Sequence, residues 1–369
     1  MRIMFVIPRM NGGGAERVVA NLSNYFSKKH DVRIVAFASK ESYYELNDAV
    51  SFCSMGCTID RRSMWSTLKS FAKFFPSAVG YLRSNIREFK PDCVISFLVP
   101  ADIITHIVTL RSRGIVKVYS ERNDPTRRSL AVRMLLRQIY RRADVFVCQS
   151  WRVFEYYDFI PDDRKIVIAN PIDVSFLPEP QQNEENLDVV AVGRLSKQKN
   201  FEFLIESYAK IVMELPKESR LIIYGDGPER KTLEKVIAKN NLTRRVVLAG
   251  AQKNVLEKIK GSAVFVMPSR FEGFPNALLE AMAVGLPVIS TDFFTGVARE
   301  LVKKANGYVV PVGDVKRMAG AIKKMMLDEA FRKMCRKNNI KVRNEYSVEK
   351  IGDRWIKAIK NMSVKLNML

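Results

Sequence analysis

A chain of 369 residues is too long for one ordinary domain and suits two of average size, each able to bury its own core. Hydrophobic residues make up 47% and charged residues 27%, which excludes a disordered chain. The formal net charge of +22 implies attraction to something acidic, and nucleic acid, anionic lipid and phosphorylated substrates all qualify.

The pattern alternates short β-branched runs with longer amphipathic ones. Arg2 to Ile7 reads as a strand, Gly14 to Lys29 as a helix and Asp31 to Phe37 as a strand. Further strands are predicted at Asp92 to Phe97, Val116 to Ser120, Asp144 to Cys148 and Lys165 to Ala169, with helices between them. Such spacing indicates βαβ units and a parallel sheet. Asn170-Pro171-Ile172-Asp173 and the polar stretch at 178–186 then read as a linker, placing the boundary near residue 175. The alternation begins afresh with strands at 187–193, 220–225, 245–250, 263–269 and 286–291. The expected domains are 1–173 and 187–345, followed by a helical segment at 346–369 that packs back towards the first domain. Its Ile351, Trp355 and Ile359 fall on one face.

The five cysteines, Cys53, Cys57, Cys93, Cys148 and Cys335, are scattered, without metal-ligand spacing. They read as thiols in a reducing compartment, with no metal site. The apolar run from Met1 to Pro8 is too short for a signal peptide or a membrane span. A cytoplasmic location is expected, with the inner face of the plasma membrane as a place of peripheral attachment.

Three segments carry chemistry. Asn11-Gly12-Gly13-Gly14 leads from the first strand straight into a helix, where glycines let the backbone approach a ligand and free helix amides favour an anion. It is neither GxGxxG nor a GK[ST] phosphate loop. The second domain opens with Gly193-Arg194-Leu195-Ser196-Lys197-Gln198-Lys199-Asn200, in which Arg194 and Lys199 offer a forked donor and a point charge to a diphosphate. The third segment runs from Pro268 to Pro287. It places Glu272 in a loop, the backbone amides of Gly273 and Phe274 beside it, and Glu280 on the body of a helix that begins near Pro275 or Asn276. Glu280 sits among alanines and leucines, where a bare surface glutamate is not expected.

The run from Glu272 to Ile289, E-G-F-P-N-A-L-L-E-A-M-A-V-G-L-P-V-I, resembles the Glu-x7-Glu motif of the family 4 retaining glycosyltransferases. The likeness extends over nearly the whole chain. It includes the glycine loop at 12–14, G-R-L…K-N at 193–200, and Tyr224-Gly225-Asp226-Gly227-Pro228. It implies the α/β GT-B fold, two Rossmann-like domains facing each other across a cleft. It also implies that Arg194 and Lys199 bind the donor diphosphate, that Glu280 holds the ribose hydroxyls and that Glu272 holds the hydroxyls of the transferred sugar. Gly225 and its turn would border the nucleobase, Gly273, Phe274, Pro275 and Asn276 would line the donor site, and Gly12, Gly13 and Gly14 would approach donor phosphate or acceptor.

A departing nucleoside diphosphate needs its charge stabilised. No Asp-x-Asp pair for a metal occurs in the sequence. The expected enzyme therefore needs no cofactor or metal and works by fixed electrostatics from Arg194, Lys199 and helix amides. Glu272 and Glu280 are not the paired carboxylates of a retaining glycosidase, which flank one bond at about 5 Å. The expected reaction is retaining transfer of a hexose or N-acetylhexosamine from a nucleotide sugar, a UDP-sugar by preference, to a lipid-linked oligosaccharide or surface polysaccharide. The epimerases of the same fold are the alternative, against which the intact Glu-x7-Glu segment argues.

Many members of the family place a histidine in the first domain against the donor sugar. Here there are only His30, at a helix end after two lysines, and His106, in an apolar helix. The corresponding loop reads Ser120-Glu121-Arg122-Asn123-Asp124-Pro125, with Glu121 and Asn123 as the residues that could take over. Basic residues are spread through both halves without an aromatic-plus-basic recognition module, so nucleic acid is not an expected partner. Ser63 to Phe75 mixes aromatics with lysines, and Arg127 to Arg142 sets six arginines among leucines. Both suit an anionic membrane surface, although the first could equally be a core face.

Overall fold

A computed structural model describes residues 1–57, 64–181 and 183–368, with the side chains of 64–73 and 366–368 outside the description. Most of the aromatic–lysine stretch from Ser63 to Phe75 therefore lies outside the described side chains. The chain forms two compact units: Met1–Pro171 with Val348–Leu369, and Ile172–Ser347.

Unit 1 runs β1 (Arg2–Ile7), α1 (Gly14–Phe26), β2 (Asp31–Ala36), β3 (Val50–Ser54), α2 (Met64–Phe89), β4 (Cys93–Phe97), α3 (Val99–Thr109), β5 (Val116–Ser120), α4 (Leu130–Tyr140), β6 (Val145–Cys148), α5 (Trp151–Tyr156) and β7 (Lys165–Val167). Its seven strands are ordered β3-β2-β1-β4-β5-β6-β7 and all pair parallel. The sequences of β1, β4 and β6 read as nearly continuous apolar runs because helices cover both faces of the sheet. One core cluster joins Met4, Val6, Val35 and Val94 to Leu82, Ala101 and Ile104. Another joins Tyr119 and Phe146 to Leu136, Ile139 and Tyr140.

Unit 2 runs β8 (Val189–Val192), α6 (Phe201–Ala209), β9 (Leu221–Tyr224), α7 (Arg230–Lys239), β10 (Val246–Gly250), α8 (Val255–Ile259), β11 (Val264–Met267), α9 (Asn276–Ala283), β12 (Val288–Asp292), α10 (Val297–Leu301), β13 (Gly307–Pro311), α11 (Val315–Leu327), α12 (Glu329–Asn339) and α13 (Val342–Glu345). Its strand order is β10-β9-β8-β11-β12-β13, again parallel. The strands β3 and β13 are absent from the sequence reading. Each ends a sheet and pairs on one side only, so neither needs the continuous apolar run that marks a central strand.

The stretch at 178–186, with the composition of a linker, is held against unit 2. Arg332 grips Glu184 through two bonds of 2.7 Å, Glu185 N–H donates to Gly261 O at 2.8 Å, and Arg343 donates to Pro178 O at 2.9 Å. Glu184 and Glu185 thus have dedicated partners in unit 2, which begins at Ile172. The last helix, α14 (Val348–Met368), packs on α1, β5 and β6 of unit 1. Ile351, Trp355 and Ile359 are buried on that face. Trp355 stacks on Phe97 with centroids 6.0 Å apart, and Tyr25 donates to Asp353 at 2.7 Å. Truncating so deeply buried a tryptophan to alanine costs about 3–5 kcal/mol. Among the described residues no helix is long and apolar enough to cross a membrane.

Candidate active site

In an open parallel sheet, ligands settle beyond the carboxyl ends of the strands where strand order reverses. In unit 2 that point lies between β8 and its neighbour β11, because β9 and β10 lie on one side of β8 and β11 to β13 on the other. The loop leaving β8 is 193–200 and the loop leaving β11 is 268–275. These are the two segments richest in candidate residues.

The two loops are joined. Arg270 N–H donates to Gln198 O at 2.8 Å, and Gln198 Nε2 donates to Phe271 O at 3.0 Å. Arg270 Nε reaches Asn200 Oδ1 at 3.0 Å, and Asn200 caps α6 with φ of +56°. At the centre, Lys199 Nζ stands 2.6 Å from Glu272 Oε1. Ser269 Oγ donates to the same oxygen at 2.7 Å. The Glu272 residue is only 8% exposed, so its charge depends on these partners. The stem of Lys199 lies across Gly193, where a Cβ would stand 3.2 Å from the Lys199 Cε.

Hydroxyls hold the second loop from behind. Thr291 Oγ1 donates to Ser269 O at 2.6 Å, and Thr295 Oγ1 lies 3.2 Å from Glu272 O and 3.1 Å from Gly273 O. Phe274 and Pro275 are buried, and α9 starts at Asn276 with Glu280 on its body, half-buried. Gln198 and Ser269 have no role in the sequence reading, and Thr291 and Thr295 are absent from it. For Ser269 and Thr291 the signal is a hydroxyl at or just beyond the end of an apolar strand, as in Ser290-Thr291 after Val288-Ile289, and Gln198 and Thr295 carry none.

Gly225 belongs to the same edge of the sheet. It has φ of +139°, and a Cβ there would overlap the carbonyl oxygen of Gly193. Its N–H donates to Gly250 O at 2.8 Å, and Leu195 N–H donates to Asp226 O at 3.0 Å. The turns after β8 and β9 therefore meet backbone to backbone, which only glycine at 225 allows. Arg194 is exposed, and its guanidinium has no hydrogen bond or ion pair among the described residues. A cation of this kind is available to a ligand, whereas Lys199 is already paired.

In unit 1, β1 occupies the corresponding reversal between β2 and β4. The glycine loop leaves it, with Gly12 at φ of +89°. The carboxylate of Glu16, two residues into α1, lies against Gly13 and within 3.6 Å of Arg9 Nε, and the residue is buried. The chain itself thus supplies the negative charge that the free amides of α1 favour.

The Ser120–Pro125 loop is also committed internally. Arg128 binds Glu121 with two bonds of 2.6 Å, the N–H groups of Arg122 and Asn123 donate to it at 2.9 Å and 3.0 Å, and Tyr157 donates to it as well. A carboxylate with this many donors anchors its own loop. Asn123 presents an exposed side chain. Arg122 is buried against the stacked Phe97 and Trp355, 4.6 Å and 5.4 Å from their centroids, and desolvation lowers its pKa to about 9. His30 lies 3.5 Å from the Met1 amine, and both histidines are held below their ordinary pKa by burial first and neighbouring cations second. The five cysteines are free thiols, and no group of three or more His, Cys, Asp or Glu that could hold a metal occurs among the described residues.

Two parallel-sheet Rossmann-like units, one with a charged loop pair at its switch point, define an α/β protein of the GT-B type. The chain belongs to the glycosyltransferases of group 1 and family 4: residues 175–342 match "Glycosyl transferases group 1" and residues 12–176 match "Glycosyltransferase Family 4". It is an enzyme of the glycosyltransferase class. A relative from Campylobacter jejuni is 29% identical over 97% of this chain and 98% of its own. It is named as the α-1,4-N-acetyl-D-galactosaminyltransferase acting on GalNAc-α-(1->4)-GalNAc-α-(1->3)-diNAcBac-PP-undecaprenol. Another from the same organism, an N-acetylgalactosamine-N,N'-diacetylbacillosaminyl-diphospho-undecaprenol 4-α-N-acetylgalactosaminyltransferase, is 28% identical over 90% of this chain and 92% of its own. Among solved structures, Anabaena HepE in complex with UDP and glucose superposes with a TM-score of 0.78 at 19% identity, covering 97% of this chain and 99% of that one.

Proposed function

We propose that this enzyme transfers a hexose or N-acetylhexosamine from a UDP-sugar, with retention and without a metal, to a lipid-linked oligosaccharide or surface polysaccharide. The observation that carries the reading is the Lys199–Glu272 pair held between two loops at the switch point of unit 2. The Campylobacter relatives, named for transfer of N-acetylgalactosamine to undecaprenol-linked glycans, support the acceptor class, and HepE with UDP and glucose supports the nucleotide.

In this reading the exposed Arg194 and the ammonium of Lys199 stabilise the diphosphate as it leaves. Glu272 accepts hydrogen bonds from hydroxyls of the transferred sugar, Glu280 from those of the ribose, and the Gly225 turn borders the base. Gly273, Phe274, Pro275 and Asn276 wall the site. When sugar and diphosphate bind, Lys199 is shared between Glu272 and phosphate oxygens, so one cation orients both ends of the bond that breaks. Displacement on the front face, with a phosphate oxygen taking the acceptor proton, keeps the anomeric configuration. In unit 1 the Glu16 carboxylate occupies the space beside Gly13, and Gly12, Gly13 and Gly14 approach the acceptor.

The same reading puts the enzyme on an anionic membrane surface. On α4, Leu130, Met134 and Leu135 are exposed at 66%, 62% and 46%, interleaved with the exposed Arg133 and Arg137. Radiolabelled UDP-, GDP- and TDP-sugars incubated with a membrane extract and excess EDTA test the reaction. Label should enter the lipid or polysaccharide fraction from the UDP-sugar. Transfer abolished by EDTA and restored by Mn²⁺ would show that a metal takes the part given to Arg194.

A further inference from the structure

The segment after β2 returns over the glycine loop and sets Tyr43 on it. Tyr43 N–H donates to Met10 O at 2.9 Å. A Cβ at Gly12 would stand 3.1, 3.2 and 3.3 Å from three carbons of the Tyr43 ring. Near-equal distances to successive ring atoms place Gly12 under the face of the ring and not at its edge. Tyr44 meets Tyr43 edge-to-face, with centroids 5.2 Å apart and planes at 84°. Tyr44 is itself fixed, its hydroxyl donating to Gly13 O at 3.1 Å and the Arg17 guanidinium lying 5.5 Å from its ring centroid.

Despite these contacts, 74% of Tyr43 remains exposed. A large aromatic surface left in water while its ring is held in place is a preorganised contact: a partner that stacks on it gains apolar area without ordering the side chain. The electron-rich face of such a ring suits weakly positive C–H groups, and a pyranose presents a face of them between its hydroxyls. The Glu16 carboxylate beside Gly13 is already matched by Arg9, so it adds no unpaired charge to the ground under the ring.

We propose that Tyr43 is a stacking platform for a pyranose ring of the acceptor, held in register by Gly12 and Tyr44. This inference rests on the reading of the acceptor as a saccharide. It makes Gly12 a steric requirement of the platform, since any side chain there would push the ring away and be strained at φ of +89°.

The test is saturation-transfer-difference NMR with methyl α-N-acetylgalactosaminide, methyl α-N-acetylglucosaminide and methyl α-glucoside. It compares the wild type with Tyr43→Phe, Tyr43→Leu and Tyr43→Ala, and UDP is titrated in parallel. The ring protons of at least one glycoside should receive saturation from the wild type and from Tyr43→Phe. Affinity should fall about tenfold or be lost in Tyr43→Leu and Tyr43→Ala, while UDP binds all four proteins alike. Tyr43→Leu keeps apolar bulk against Gly12 without a π face, so it separates stacking from loss of loop structure. Equal glycoside binding in the wild type and Tyr43→Leu, equal loss in Tyr43→Phe and Tyr43→Leu, or no glycoside signal from the wild type overturns the platform. Absence of UDP binding in the wild type overturns the donor assignment instead, and the glycoside series then still decides Tyr43.

Discussion

Lys199 Nζ and Glu272 Oε1 stand 2.6 Å apart, so the loop after β8 and the loop after β11 are joined by an ion pair at the mouth of the unit 2 sheet. The side chains are 20% and 10% exposed, and removing one partner leaves the other poorly solvated and unpaired. Glu272→Gln keeps an oxygen for Lys199 and for sugar hydroxyls but removes the charge. Transfer should fall sharply while UDP affinity, measured by calorimetry, stays close to that of the wild type. Glu280→Ala should do the reverse and weaken UDP itself. Parallel loss of UDP binding in Glu272→Gln would reassign Glu272 to the nucleotide.

Arg194 differs from Lys199 in having no internal partner to replace. Arg194→Ala should therefore leave the melting temperature unchanged and lower kcat by about 10²-fold or more, the cost of one preorganised charge stabiliser. A fall confined to KM, with kcat intact, would mean that Arg194 binds the ground state and the leaving diphosphate equally.

The pair also shows where the sequence stops being informative. Glu272, Lys199 and Glu280 are legible as chemistry, but the sequence reading gives Glu272 and Lys199 separate ligands. Their contact spans 73 residues and exists only because β11 lies beside β8. Composition cannot report such adjacency. The stretch at 178–186 fails for a related reason: acids and amides look solvated until Arg332 and Arg343, far along the chain, are placed against them. Glu121 resembles a free site carboxylate until Arg128 and Tyr157 are seen to claim it. Central strands and the buried face of α14 are legible because periodicity alone encodes them.

Asp102 gives a pH dependence. Ser96 Oγ donates to its Oδ1 at 2.7 Å and Tyr140 OH to its Oδ2 at 2.8 Å, yet burial dominates and raises its pKa to about 7. The folded value lies above the unfolded value of about 4, so the folded state holds the proton more tightly. The resulting stabilisation is complete below about pH 4 and is lost as the pH rises through about 7. Asp102→Asn removes the titration while keeping the shape. The difference in melting temperature between wild type and variant should shift in the variant's favour as the pH is raised across this range. Parallel curves for the two proteins would show that Asp102 does not titrate there.

The face of α4 leads to the last prediction. Leu136, Ile139 and Tyr140 are buried against the sheet, which fixes Leu130, Met134 and Leu135 outward beside Arg133 and Arg137. Arg137 also lies over Phe159, 4.7 Å from the ring centroid, so its charge is held at the surface. Exposed leucines between arginines cost solubility unless something apolar and anionic covers them, and each cation near an acidic bilayer contributes about 1 kcal/mol. The protein should sediment with vesicles containing acidic lipid at low salt, remain free of neutral vesicles, and be released at high salt as the charges are screened. Arg133→Glu with Arg137→Glu should abolish the low-salt binding, and Leu130→Ser with Met134→Ser should lower what resists salt. Neither pair of residues belongs to the donor loops, so UDP affinity should be unchanged in both variants. Recovery in the supernatant with acidic vesicles at low salt would remove the membrane from the reading and make a soluble polysaccharide the better acceptor.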